Sequence, residues 1–222
     1  MQIQPFPFQT KEEYAYQTLR KAILTCELAP GEKLVIDRLS TELALSQIPI
    51  RAAMQRLQAE GLVEIKPHSS PTVTTLSPKK VSEVFALLES LESTAFRAIA
   101  GRLSAEEIAT LEALLEKMDK ALAEKNAANW LGTNIAFHRK IAELSDMPLL
   151  TDFTSRVLDE WERISHFYFE NVTTSRLPKA QNEHREIIEL LRKGDIKGLE
   201  AIATTHNRAA NQAYQTILEK EK

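Results

Sequence analysis

The chain of 222 residues has a single cysteine, Cys26, so no internal disulfide can staple it. Six glycines and 6% aromatic residues are few for a sheet-rich fold with many tight turns, and they favour helices. No apolar run approaches the ~20 residues of a membrane span, and the opening MQIQPFPFQT lacks the charged-then-apolar order of a signal peptide. The expectation is a soluble, cytoplasmic protein without a membrane partner. Positive charge is also lacking: the formal net charge is −3, so the chain as a whole is no basic coat for nucleic acid. A local basic site stays open, because distribution matters more than the sum. What the chain does have is 43% hydrophobic residues, enough for a substantial core.

Two kinds of patterning divide the chain. Residues 1–9 are rich in Pro and Phe and are expected to be loosely ordered. Thr10 and Glu13 are spaced as a capping box, and Tyr14, Thr18, Leu19, Ala22, Ile23 and Cys26 follow at helical period, with Cys26 read as a packing residue. Pro30-Gly31 ends that helix. A short helix is predicted from Asp37 to about Leu43; Ala44 and Leu45 lead to Ser46, a natural N-cap, with Pro49 in the first turn of the next helix. Ile50, Ala53, Met54 and Leu57 stripe that helix and Gly61 stops it. LVEIK and PTVTT, joined by PHSS, read as two short strands. From Ser77 onward the pattern gives six helices and no strand, at about 78–100, 105–125, 127–144, 149–170, 179–193 and 196–220. The expected fold is mainly α: a winged helix-turn-helix over residues 1–76 and a six-helix all-α bundle over residues 77–222.

The second helix of a helix-turn-helix places its N-terminal residues at base edges in the major groove. Here these are Ser46, Gln47, Ile48 and Arg51. Gln47 suits adenine, Arg51 guanine or phosphate, and Ile48 a thymine methyl. Arg38 on the preceding helix and His68 on the wing are candidates for phosphate or minor groove. The alternative is that these arginines are ordinary solvated charges. The stretch PGEKLVIDRLSTELALSQIPIRAAMQRLQAEGLVEIKP resembles the DNA-binding domain of the GntR family of bacterial transcription regulators. The marks are Pro-Gly-x-x-Leu, Leu-Ser-x-x-Leu, Ser-x-x-Pro-Ile-Arg and Arg-Leu-x-x-Glu-Gly-Leu-Val. The resemblance implies binding of a palindromic double-stranded operator by a homodimer, with Arg38 and Arg51 at DNA-contacting positions. Three departures stand out. Ala44 replaces the usual turn Gly, Gln47-Ile48 the usual Arg-Thr, and Ser69-Ser70 the usual Gly of the wing tip.

In the second half, Asn134 and His138 lie one helical turn apart on the stripe of Ile141, Ala142 and Ser145. His184 shares a face with Ile187, Ile188 and Leu191, and His206 with Leu199, Ile202 and Ala210. Three of five histidines thus sit on core-facing stripes of three helices, and such stripes converge in a bundle. A lone histidine of this kind is commonly a satisfied core residue; three buried without partners would be costly, and a shared metal would satisfy all three. His166, beside Asp159, Glu162 and Arg163, reads as surface, while Glu183 and Glu186 flank His184 and are expected to point away from its stripe.

The phrases NIAFHRKIAELSDMPLL and EHREIIELLRKGDIKGLEAIATTHNRAA resemble the FCD effector domain of FadR-like GntR regulators, and six helices resemble the VanR-type subgroup. The resemblance implies a divalent ion on Asn134, His138, His184 and His206, with open positions for a small organic acid effector. Imidazole nitrogens with one oxygen suit Zn²⁺ or Ni²⁺. Asn134 stands where Asp is usual and Leu88 where a pocket Arg is usual, so weaker metal binding and an effector other than an ordinary hydroxy acid are expected. The functional expectation is a ligand-responsive transcription regulator rather than an enzyme. The alternatives are a metal-dependent hydrolase, lacking a clear general base, and a helical dimer whose histidines bind nothing.

Overall fold

The computed structural model describes residues 10–220, with backbone alone for 169–175 and 220. Residues 1–9, expected to be loosely ordered, lie outside the described residues. The chain divides into two compact units between Leu76 and Ser77.

The first unit contains α1 (Lys11–Leu24), α2 (Ile36–Glu42), α3 (Gln47–Ala59), β1 (Val63–Glu64) and β2 (Thr72–Val73). Thr10 Oγ1 accepts from the Glu13 amide at 3.1 Å, capping α1. The reciprocal half of the expected box is replaced: the Glu13 carboxylate accepts from Gln17 at 2.7 Å and Arg56 at 2.7 Å. The helix stops before Cys26. Thr25 caps it through the Ile23 and Lys21 carbonyls, and Cys26 then takes a φ of 57°, half-buried and outside the helical stripe predicted for it. α1 packs on α3 through Leu19, Ile23, Ile50, Met54 and Leu57, all buried. Arg56 lies 3.7 Å over the Tyr16 ring, closing the edge of that seam. The turn between α2 and α3 is braced by Ser40, whose hydroxyl donates to the Leu45 carbonyl at 2.5 Å. β1 and β2 pair antiparallel with Val63 opposite Val73, and the Gly31 amide joins them by donating to Val73 O at 2.9 Å.

The second unit holds α4 (Pro78–Ile99), α5 (Ala105–Ala123), α6 (Ala127–Leu144), α7 (Pro148–Lys193) and α8 (Ile196–Lys220). Ser77 caps α4, and Ser104 with Glu107 forms a complete capping box on α5. α4 packs against α8, α7 and α6, and α5 against α6 and α7. Phe96, Leu111, Met118, Phe137, Ile141 and Ile187 fill the core between them. The all-α bundle stands as expected, with one difference. The fourth and fifth predicted helices meet within α7 at a kink at Tyr168 (φ −106°, ψ 15°), close to the expected end of the fourth, and the fifth starts earlier than expected, so that Pro178 lies inside it. Proline removes one ladder bond, but the surrounding packing overrides that local preference here, and the bend falls ten residues upstream of it. No helix among the described residues is long and apolar enough to cross a membrane.

Candidate metal centre and candidate nucleic-acid interface

Helical period sets the chamber in the second unit. On α6, Asn134 and His138 are four residues apart and so project side by side. His184 comes from the C-terminal half of α7 and His206 from the middle of α8. All four are buried, at 1%, 2%, 0% and 5% exposure in sequence order. The rings meet: centroids lie 5.3 Å apart for His138–His184, 5.4 Å for His138–His206 and 4.9 Å for His184–His206. One nitrogen from each falls within 4.8 Å of the others. His138 Nε2, both ring nitrogens of His184 and Asn134 Oδ1 are buried without a hydrogen-bond partner. Native interiors rarely leave so many polar atoms orphaned together, which makes them candidates for a shared cation.

Two carboxylates complete the surroundings. Glu92 of α4, 3% exposed, pairs through Oε1 with His138 Nδ1 and accepts from Asn207 Nδ2 at 2.7 Å. Glu183 pairs with His206 Nδ1 at 2.6 Å. Arg176 grips both Glu183 oxygens at 2.8 and 2.5 Å and donates to the His206 carbonyl at 3.2 Å. Each carboxylate therefore fixes which nitrogen of its histidine faces the centre: Nε2 for both His138 and His206. Burial would raise the Glu183 carboxyl, but the His206 and Arg176 hydrogen bonds overcome it and hold it down at about 2. Burial also works against Glu92, and the His138 pairing reverses that, so its pKa is lowered. His184 is pushed well below the usual imidazole value by burial and by the neighbouring His206 and His138. His206 is lowered by burial, with Glu183 opposing. Neutral imidazoles are the form that ligates a metal.

A cavity adjoins this cluster, lined among others by Trp130, Asn134, Trp161, Arg176, His206 and Tyr214. Arg176, the one cationic side chain among the described residues lining it, belongs to a stretch expected from the sequence to connect two helices. Leu88 is buried where the resembling family has arginine. Arg97 and Arg185 pair with Glu200 and Asp119 at the surface, and Arg139 with Asp159. Two sequence readings are corrected. Glu183 does not point away; it precedes His184 on α7 and its long side chain swings to α8. The side of α7 read as polar surface is largely interior: Arg163 is 1% exposed, Asp159 is 9% exposed and His166 is half-buried near Glu162. Glu92 was legible in retrospect, as a carboxylate on the apolar stripe of Leu88, Ala95, Phe96 and Ile99.

In the first unit, Arg38, Ser46, Gln47, Ile48, Arg51 and His68 are all exposed. Ser46 occupies the N-cap of α3 with extended backbone, but its hydroxyl makes no capping bond. Gln47 Nε2 donates to Asp37 Oδ1 at 2.6 Å, and Gln47 Oε1 accepts from Arg51 at 3.2 Å. This chain of bonds ties the start of α3 to α2. Arg38 is held apart from it by Glu32 at 2.8 Å and Glu42 at 3.7 Å. His68 sits in the wing turn with φ 59°.

The FCD domain family matches residues 83–209, and the family described as bacterial regulatory proteins, gntR family, matches residues 11–73. The chain belongs to the GntR family. It is 24% identical to the HTH-type transcriptional repressor RspR of Escherichia coli K12, over 95% of this chain and 92% of that one. It is 31% identical to an HTH-type transcriptional regulator from the TAR-I ttuE-ttuC' intergenic region of Agrobacterium vitis, over 57% of this chain and 76% of that one. The structure of E. coli McbR/YncC shares the fold, with a TM-score of 0.79 and 20% identity over 95% of this chain and 100% of that one. The chain is accordingly a DNA-binding transcription regulator with a GntR head and an FCD domain.

As a GntR regulator it departs from the family's usual residues at places where backbone geometry matters. Ala44, in the position of the usual turn glycine, adopts φ 51°. At the wing tip the left-handed residue is His68 rather than Ser69 or Ser70.

Proposed function

We propose that this GntR–FCD protein binds a palindromic operator as a homodimer and adjusts its grip to a small carboxylate sensed beside a divalent ion in the FCD domain. The observation carrying this reading is that His138, His184 and His206 each bring a ring nitrogen within 4.8 Å of the others, with His138 Nε2 and both His184 nitrogens buried and without a hydrogen-bond partner. His138, His184, His206 and Asn134 would hold the ion, Zn²⁺ or Ni²⁺ by donor chemistry. A bound ion supplies Lewis-acid positions at which a carboxylate oxygen is attracted. Around it, Glu92 and Glu183 orient their histidines, and Arg176, which holds Glu183, lines the adjoining cavity. The same arrangement argues against a hydrolase. A hydrolase needs a free general base, and the two carboxylates beside this cluster are each engaged by a histidine.

The test uses genomic fragments selected by the full chain as operator. Arg51→Ala should abolish retention in a low-salt gel shift while helix content and metal content stay unchanged. His138→Ala with His184→Ala should strip the metal and the response to metabolite extracts while keeping operator binding. Unchanged affinity in Arg51→Ala defeats the DNA-contact assignment, and a normal response in the double variant removes the metal from sensing.

A further inference from the structure

The start of α3 offers one large side chain left uncovered by the described residues of its unit: Ile48, 78% exposed. It is the second residue of the helix, in the turn that a helix-turn-helix directs at base edges. Its neighbours are already engaged. The Gln47 amide is held at both ends, by Asp37 and by Arg51, so offering its face to adenine would break two bonds. Arg51 lies three residues from Ile48, on the same side of the helix, and is steadied by Gln47. Ile48 itself has no polar atom. Among the features displayed in the major groove, the one an aliphatic side chain complements best is the C5-methyl of thymine; cytosine offers only a hydrogen at C5, and the donors and acceptors lose water against an apolar side chain.

We propose that Ile48 is a specificity-determining residue that selects thymine by its 5-methyl group at one position of each half-site, next to the base or phosphate met by Arg51. The proposal rests on the DNA-binding reading and adds a base identity to it. Burial of one methyl against the exposed isoleucine is worth about fourfold in affinity, and roughly 16-fold where both half-sites are changed together.

The experiment replaces each thymine of a selected operator, together with its symmetry mate in the other half-site, by deoxyuridine, which keeps the pairing and removes only the methyl. Affinities are measured for the wild-type full chain and for Ile48→Ser, a surface substitution whose helix content is checked by circular dichroism. The expected result is one symmetry-related pair of thymines whose replacement weakens wild-type binding by roughly 10-fold or more, and which Ile48→Ser no longer distinguishes from uracil. Equal sensitivity in Ile48→Ser assigns the loss to altered DNA shape and overturns the proposal. So does wild-type binding indifferent to every replacement, which leaves operator recognition itself intact. A wild-type chain that retains no fragment overturns the DNA reading and this inference with it.

Discussion

Ala44 holds the turn between α2 and α3 at φ 51°, where a Cβ crowds the following carbonyl oxygen. An L-residue there is strained by roughly 1–2 kcal/mol, partly offset in a glycine by the greater freedom it loses on folding. Ala44→Gly should therefore stabilise the first unit by about 1 kcal/mol. Hydrogen exchange checks this: the slowest amides of α2 and α3 should slow by about fivefold, and an unchanged rate would mean the turn relaxes its strain elsewhere. The sequence already marked this residue, since an alanine stands where the resembling family has glycine. What it did not mark were Cys26, Lys125 and Asp146, which take φ values of 57°, 53° and 53° just beyond the last turns of α1, α5 and α6. Nothing in the side chains of Cys26 and Lys125 announces the left-handed region, and Asp146 is only of a type that tolerates it; the need for it arises from how each helix end must turn.

At the scale of elements, helices with good end signals were legible. Ser77, the Ser104-Glu107 box and Gly194 each cap a helix close to where the sequence places one. The kink of α7 at Tyr168 falls near the predicted end of the fourth bundle helix, but the start of the fifth was misplaced, because a polar stretch and Pro178 read as a connection that the helix continues through. That misreading hid Arg176, which the cavity includes. The histidine-bearing stripes of α6, α7 and α8 were visible as periodicity, whereas the carboxylates facing them were not. Glu183 flanks its stripe by one position, and its reach across to α8 depends on how closely the two helices pack. These elements give the proposed metal centre its tightness: α4 contributes Glu92 behind His138 and α7 contributes Glu183 behind His206. Outer partners of this kind are typically worth about 10- to 100-fold in metal affinity. Competition with a chelator should show Zn²⁺ binding weakened by that range in Glu92→Gln and in Glu183→Gln, each retaining a near-isosteric amide. Affinity unchanged in both would mean that the histidines need no orientation from these carboxylates.

For the whole molecule the question is whether the FCD chamber and the DNA-reading head influence one another. Neither the −3 net charge nor the fold decides it, since coupling is a free-energy difference between states and not a contact. If the ion favours one operator-binding state, operator must favour the ion by the same factor, whatever path connects them. A tenfold factor requires only about 1.4 kcal/mol. The prediction is a closed cycle on the full-length protein: operator affinity with and without Zn²⁺, and Zn²⁺ affinity with and without operator, should change by one common factor of about ten. A purely structural ion behaves differently. It raises the unfolding midpoint, by about 2.7 kcal/mol of stabilisation at a hundredfold excess over its Kd, yet leaves operator affinity of the folded protein where it was. The two cases therefore separate on the operator arm of the cycle alone. A midpoint that rises with Zn²⁺ while that arm stays flat would place the histidine cluster in stability and not in sensing.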